Sequence, residues 1–214
     1  QWLAAGQTTA KREQFLEAAE RLERVWRYGA AIPFYESALS GLDPLDAARL
    51  TIYPRLERAC HRLRDTKRAA AVCTEWVELA RHYNQSAVEA RALSLLAARH
   101  RDHAAWAEAE QAARQALTLA QTSGDADAGM LAQKILASVL WIGWRHDEAL
   151  VHLEQALVAA RNAASRRDLA LCLNDIAMPY ALRGRVEAAF LALDESESIF
   201  RELGDAAWVT SLRS

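Results

Sequence analysis

The chain has 214 residues, a formal net charge of −2, 52% hydrophobic and 25% charged residues. That apolar content excludes a disordered chain, and the balanced charge excludes a basic nucleic-acid footprint. Eight glycines, four prolines and few β-branched residues favour helices over strands. The cysteines, Cys60, Cys73 and Cys172, are odd in number and form no Cys-x-x-Cys, so neither a disulfide framework nor a zinc cluster is implied. A reducing cytoplasm fits them. No apolar run reaches the roughly 18 residues of a membrane helix, and the opening QWLAAGQTT does not read as a signal peptide.

The predicted elements come in pairs. In residues 11–44, Phe15, Ala19 and Leu22 mark a first amphipathic helix, and Ala31, Tyr35 and Ala38 a second. Residues 45–85 repeat the second helix at Ala69 and Ala80, but Glu57 falls where alanine belongs, which predicts a shifted first helix. Residues 86–125 carry Leu96, Ala97 and His100, then Ala109, Ala116 and Ala120. Residues 126–165 carry Leu136, Ala137 and Leu140, then Ala149, Leu153, Ala156 and Leu157. Residues 166–204 carry Leu173, Ile176, Ala177 and Tyr180, then Ala189, Leu193 and Ser196. The step is 40 residues, and 38 for the first. Within each segment the apolar spacing of three and four is helical.

Gly143 and Gly184 are expected in the turns inside pairs, and Gly124-Asp125 and Gly204-Asp205 between pairs, glycine ending one helix and aspartate capping the next. Pro33, Pro54 and Pro179 fall inside predicted helices and predict kinks or displaced starts. Residues 205–214 read as the start of a further helix, the expectation being a fragment of a longer protein.

One helical hairpin cannot bury its apolar face alone, whereas stacked hairpins can. The predicted fold is all-α, a right-handed superhelix of five hairpins and part of a sixth. The exposed ends of such a stack make a homodimer a candidate assembly.

The pattern resembles the tetratricopeptide repeat (TPR) across nearly the whole chain. Leu173, Ile176, Ala177, Tyr180, Gly184, Ala189 and Leu193 carry the match in the fifth unit, with Ser196 at the last small position. Two features depart from it. The repeat is longer than the family's usual length of about 34 residues. Gln121, Arg161 and Arg201 stand where proline usually closes the second helix. Long repeats of this sort are similar to the arrays of large bacterial signal-transducing ATPases and LuxR-type activators. The resemblance implies a non-catalytic module for protein–protein contact, the sensor or docking domain of a larger cytoplasmic signalling or transcriptional regulator. Its partner would be a protein, a peptide or another domain of its own chain.

Candidate sites divide into turns and groove. GWRHDEALVHLEQAL (143–157) gathers His146, Asp147, Glu148 and His152 but coincides with a hairpin turn, where acidic residues favour the next helix's N-terminus. RHRDHAAW (99–106) offers His100 and His103 without a third or fourth metal ligand. No G-x-S-x-G, phosphate loop or H-E-x-x-H supports an enzyme, and no cofactor or metal is implied. The resemblance places partner binding on the concave face of the first helices. There the third unit offers Arg91, Ser94 and Arg101, the fourth Lys134, Ser138 and Trp141, and the fifth Asn174 and Met178. Glu13, Glu20 and Glu23 precede these, then Arg58 and His61, so the groove is expected to run from acidic to basic to apolar. A small-molecule effector closing on Lys134 and Trp141 is the alternative occupant, and neither nucleic acid nor membrane is expected. The alanine positions give the first test: Ala137→Arg buries a charge at a helix crossing and should cost on the order of 1–3 kcal/mol or more in unfolding free energy. A thermal midpoint equal to that of the parent would refute the packing register.

Overall fold

The structure is a computed structural model describing residues 2–163 and 165–205, with side chains from residue 9 onward. Ten helices are described: α1 (Trp2–Arg24), α2 (Tyr28–Ser40), α3 (Arg49–Arg62), α4 (Thr66–His82), α5 (Ser86–Asp102), α6 (Trp106–Ser123), α7 (Ala126–Ile142), α8 (His146–Asn162), α9 (Arg166–Leu182) and α10 (Val186–Glu202). Among the described residues none is long and apolar enough to cross a membrane. The sixth-hairpin expectation for 206–214 lies outside the described residues.

Each helix packs on its neighbours in sequence, and α5 also packs on α7. This is the contact pattern of a linear solenoid. Alanines occupy the crossings: Ala19, Ala31, Ala69, Ala97, Ala109, Ala116, Ala149 and Ala156 are fully buried. Without a bulky side chain at these points the helix axes approach closely, and Leu136, Leu140, Leu173, Ile176 and Phe200 fill the layers between. Trp76 is buried where the later repeats carry Ala116, Ala156 and Ser196, so this indole is part of the core.

The turns inside hairpins follow one rule. The residue two before the second helix adopts the left-handed conformation: Trp26 (φ 60°), Arg64 (60°), Ala104 (58°), Trp144 (61°) and Gly184 (74°). The next residue donates its N–H to the carbonyl five residues back, as Asp65 does to Cys60 (3.0 Å) and Arg145 to Leu140 (3.0 Å). This Schellman-type closure ends one helix and positions the N-cap of the next. Gly184 fills the left-handed position as expected. Gly143 does not: its φ is −75°, and Trp144 takes that conformation instead. Between hairpins, Asn84 (53°), Gly124 (67°) and Gly204 (70°) are left-handed. Asp125 then caps α7, accepting the Ala128 N–H at 2.7 Å.

The shifted first helix expected around Glu57 is corrected. α3, α5, α7 and α9 end at Arg62, Asp102, Ile142 and Leu182, in constant step, and Glu57 lies buried in the alanine position itself. What moves is the start of α3. It begins at Arg49 after successive tight bonds, Arg49 N–H to Asp46 (3.0 Å) and Leu50 N–H to Ala47 (3.0 Å). Pro54, in the sixth position of α3, cannot donate to the carbonyl of Leu50. α2 and α9 continue through Pro33 and Pro179 without interruption.

A side chain in the left-handed region costs roughly 1–2 kcal/mol relative to glycine, partly offset by the entropy glycine loses on folding. Ala104→Gly should therefore raise unfolding free energy by about 0.5–1 kcal/mol, read as a higher thermal midpoint. A lower midpoint would contradict this account of the turn.

Candidate binding groove

Two adjoining clefts lie on the face lined by the odd-numbered helices. The first, about 560 Å³, lies between α7 and α9, with Arg101 of α5 at its edge. Leu131, Ile135, Trp141 and Met178 supply apolar wall, and Lys134, Ser138, Asn174 and Asp175 the polar points. The second, about 470 Å³, continues between α9 and α10 and is lined by Ala181, Val186, Phe190 and Leu193. Asn174 and Met178 line both, so the clefts form one trough. Met178 is 65% and Phe190 63% exposed, so the clefts present large apolar side chains to solvent.

The helical step explains this gathering. Lys134, Ser138 and Trp141 follow one another at four and three residues along one face of α7. Asn174 and Met178 sit at the same register of α9. Arg101 reaches across to α7 and donates to Ser138 Oγ at 2.8 Å. Lys134 Nζ pairs with Asp175 at 3.1 Å.

Two of the residues expected in the groove lie elsewhere. Ser94 is fully buried and donates to the carbonyl of Ala90 at 2.8 Å, a bond internal to α5. Arg91 pairs with Asp125 at 3.1 Å, away from both clefts. The progression from acidic to basic is also corrected. Glu20 pairs with Arg55, and Glu23 with Arg58 at 2.6 Å, so charges on successive odd helices neutralise one another. Sequence periodicity shows which face a residue occupies, not which neighbour its side chain reaches.

The histidine-rich turns carry no metal set among the described residues. His146 packs against Trp141 (ring centroids 4.3 Å apart) and Trp144 (5.6 Å). Asp147 and Glu148 stand in the first turn of α8, and Glu148 holds Arg145 at 2.6 Å. The hydrogen bond from Arg145 lowers the Glu148 pKa, and Arg145 also reaches Glu110 on the previous hairpin at 2.7 Å. His152 is half-buried, its Nδ1 2.5 Å from Gln133 Oε1, and burial lowers its pKa.

Beside the groove lies a charge cluster that periodicity did not reveal. Arg99 and Glu57 are both buried, their Nε and Oε1 atoms 3.8 Å apart. Neither of those atoms has a hydrogen-bond partner among the described residues. Arg99 also contacts His61 Nδ1 and Asp102, the latter at 3.5 Å. Burial raises the Glu57 pKa, opposed by the Arg99 charge. Burial, then the Arg99 charge, lowers that of His61. The one sequence signal was Glu57 itself, an acid in an alanine column.

No protein-family pattern matches the sequence, and no curated protein matches it. Solved structures match the fold. A Podosopora anserina chain of nearly identical TPR-like repeats superposes with a TM-score of 0.64 at 17% identity, covering 89% of this chain and 95% of that one. A Rap protein complexed with Competence and Sporulation Factor gives 0.81 at 13% identity, over 95% and 57%. The Rap conjugation gene regulator of plasmid pLS20, in complex with a peptide, gives 0.76 at 16%, over 96% and 57%. This chain thus spans little more than half the length of either Rap protein. At these identities the likeness shows the fold, a TPR-like α-solenoid.

The Glu57–Arg99 pair yields a test of its own. Removing one member of a buried pair typically costs about 3–5 kcal/mol, whereas replacing both with apolar residues is often neutral or stabilising. Other repeats hold Ala97 and Ala137 in the Glu57 column and Val139 in the Arg99 column. Glu57→Ala and Arg99→Val should each lower the thermal midpoint strongly, and the double variant should recover most of the loss. Additive losses would show that the two side chains do not compensate each other.

Proposed function

We propose that this chain is a non-catalytic binding module whose trough takes an extended peptide segment of a protein partner. The continuity of the two clefts through Asn174 and Met178 carries this reading. Arg101, paired with Asp102, and Lys134, paired with Asp175, supply cationic points that an anionic group would compete for at one end, and Val186 and Phe190 an apolar floor at the other. The complementary segment has an acidic side chain or terminus followed by large apolar side chains. Such sites combine a mostly apolar wall with few polar groups that fix orientation, and aromatic and arginine anchors dominate their energetics. The fold shared with a Rap protein crystallised with a peptide supports the same assignment. The histidines support a non-catalytic role: His61 faces Arg99, His146 two indoles and His152 a glutamine.

The biological setting we infer is a cytoplasmic signalling or transcriptional regulator, with this solenoid as its sensor or docking domain. The bound segment belongs to a partner protein or to another domain of the same chain. A small-molecule effector is a second reading, favoured by the volume of the first cleft, which falls within the usual range for small ligands.

Selection of random displayed peptides on the purified chain should enrich sequences pairing an acidic residue with large apolar ones. Met178→Glu or Lys134→Glu should weaken the enriched peptides at least about tenfold, equivalent to 1.4 kcal/mol. Arg91→Glu, outside the trough, should leave them unchanged. Absence of enrichment, or binding indifferent to Met178 and Lys134, would overturn the peptide assignment.

A further inference from the structure

A line of charged contacts leads from the buried core into the trough. Glu57 on α3 pairs with Arg99 on α5 at 3.8 Å. Arg99 Nη1 stands 3.5 Å from Asp102 Oδ2. Asp102 Oδ1 accepts from Arg101 Nη2 at 3.0 Å and from its Nε at 3.3 Å. Arg101 Nη1 donates to Ser138 Oγ on α7, at the cleft edge. Asp102 is thus shared between a buried guanidinium and the one that lines the trough.

We propose that Glu57 is a positioning residue for the groove: by holding or releasing Arg99, its protonation sets how much of Asp102 is left to Arg101, and so how freely Arg101 meets an anionic group. The proposal rests on the peptide-binding reading for its biological use, but its physical content does not. With Glu57 ionised, Arg99 is divided between two carboxylates and Arg101 retains Asp102. With Glu57 protonated, Arg99 loses one counter-charge and draws fully on Asp102. Arg101 then lacks its nearest anion, and the cluster gains one positive charge.

The groups facing Glu57 are few. On its own helix are Arg58, which is held by Glu23, and Cys60. Cys73 faces it from α4, and burial raises both thiols out of play near neutrality. From α5 come Arg99 and Asp102. His61, also on α3, touches Arg99. Burial displaces the carboxyl titration upward from that of an exposed glutamate, against the opposing charges of Arg99 and Arg58. Linkage is reciprocal: an anion that draws Arg101 away from Asp102 must also favour proton uptake at Glu57.

The device belongs to one junction. The Glu57 column holds Ala97, Ala137 and Ala177 in other repeats, and the Arg99 column holds Ala59, Val139 and Pro179. Two improbable core residues occur together, beside the basic end of the trough.

The test follows Arg101 Nε–Hε and the Glu57 side-chain carboxyl by NMR across a pH titration of the whole chain. In the parent, both signals should share one midpoint, above that of an exposed glutamate. In Glu57→Gln that Arg101 inflection should vanish. In Asp102→Asn, Glu57 should still titrate while Arg101 no longer responds. Should Glu57→Gln fail to fold, the double variant Glu57→Ala with Arg99→Val provides the same comparison. Inorganic sulfate, ionised throughout, probes the consequence: its dissociation constant at Arg101 should fall roughly fivefold through the Glu57 midpoint in the parent but not without Glu57. An Arg101 titration unaltered by loss of Glu57, or a sulfate response equal in the two proteins, would overturn the proposal. Failure to select peptides would instead refute the peptide reading and leave these measurements intact.

Discussion

The structure depends on close approach of helices across alanine. A helix whose inward stripe is Ala97 or Ala137 buries little apolar area alone, so it gains stability only when a second helix lies near enough to share the crossing. Stacking is therefore the condition for folding, and contacts run to sequence neighbours. The turns serve the same end. A left-handed residue followed by an N-cap returns the chain within three residues, leaving hairpins short enough to stack without loops intervening.

Because the same crossing recurs, its period could be read directly. Ala69, Ala109, Ala149 and Ala189 stand in one column and occupy equivalent positions in α4, α6, α8 and α10. Column chemistry failed where a residue broke its column. Glu57 suggested a slipped helix, since an isolated carboxylate at a helix crossing is costly. The counter-charge that permits it, Arg99, lies on another helix, 42 positions away, and no local pattern joins the two. Gly143 stands in the turn of the fourth hairpin as expected, yet it does not take the left-handed conformation. The conformation belongs to the position, and there Trp144 takes it beside Gly143.

The face that carries the trough was legible for the same periodic reason, and its charge was not. Arg101, Lys134, Ser138, Trp141, Asn174 and Met178 converge on the clefts because α5, α7 and α9 present equivalent faces. Ser94 shares that register yet is buried. Long side chains span the gap between successive odd helices, so Glu20 and Glu23 are neutralised by Arg55 and Arg58. Charge in a solenoid groove is a property of pairs of repeats.

The trough also spans the junction between two hairpins. α7 packs on α5, α6 and α8, while α10 packs on α9 and reaches α8 through the Glu195–Arg161 pair at 2.7 Å. In a nearest-neighbour stack each junction between hairpins carries its own stability, and local opening is governed by the interface at that junction. A segment lying from Lys134 to Phe190 would bridge α7, α9 and α10 and add to the interface between their two hairpins. Occupancy would then be registered as added order at that junction, transmitted along the stack through stiffness and not through a change of shape.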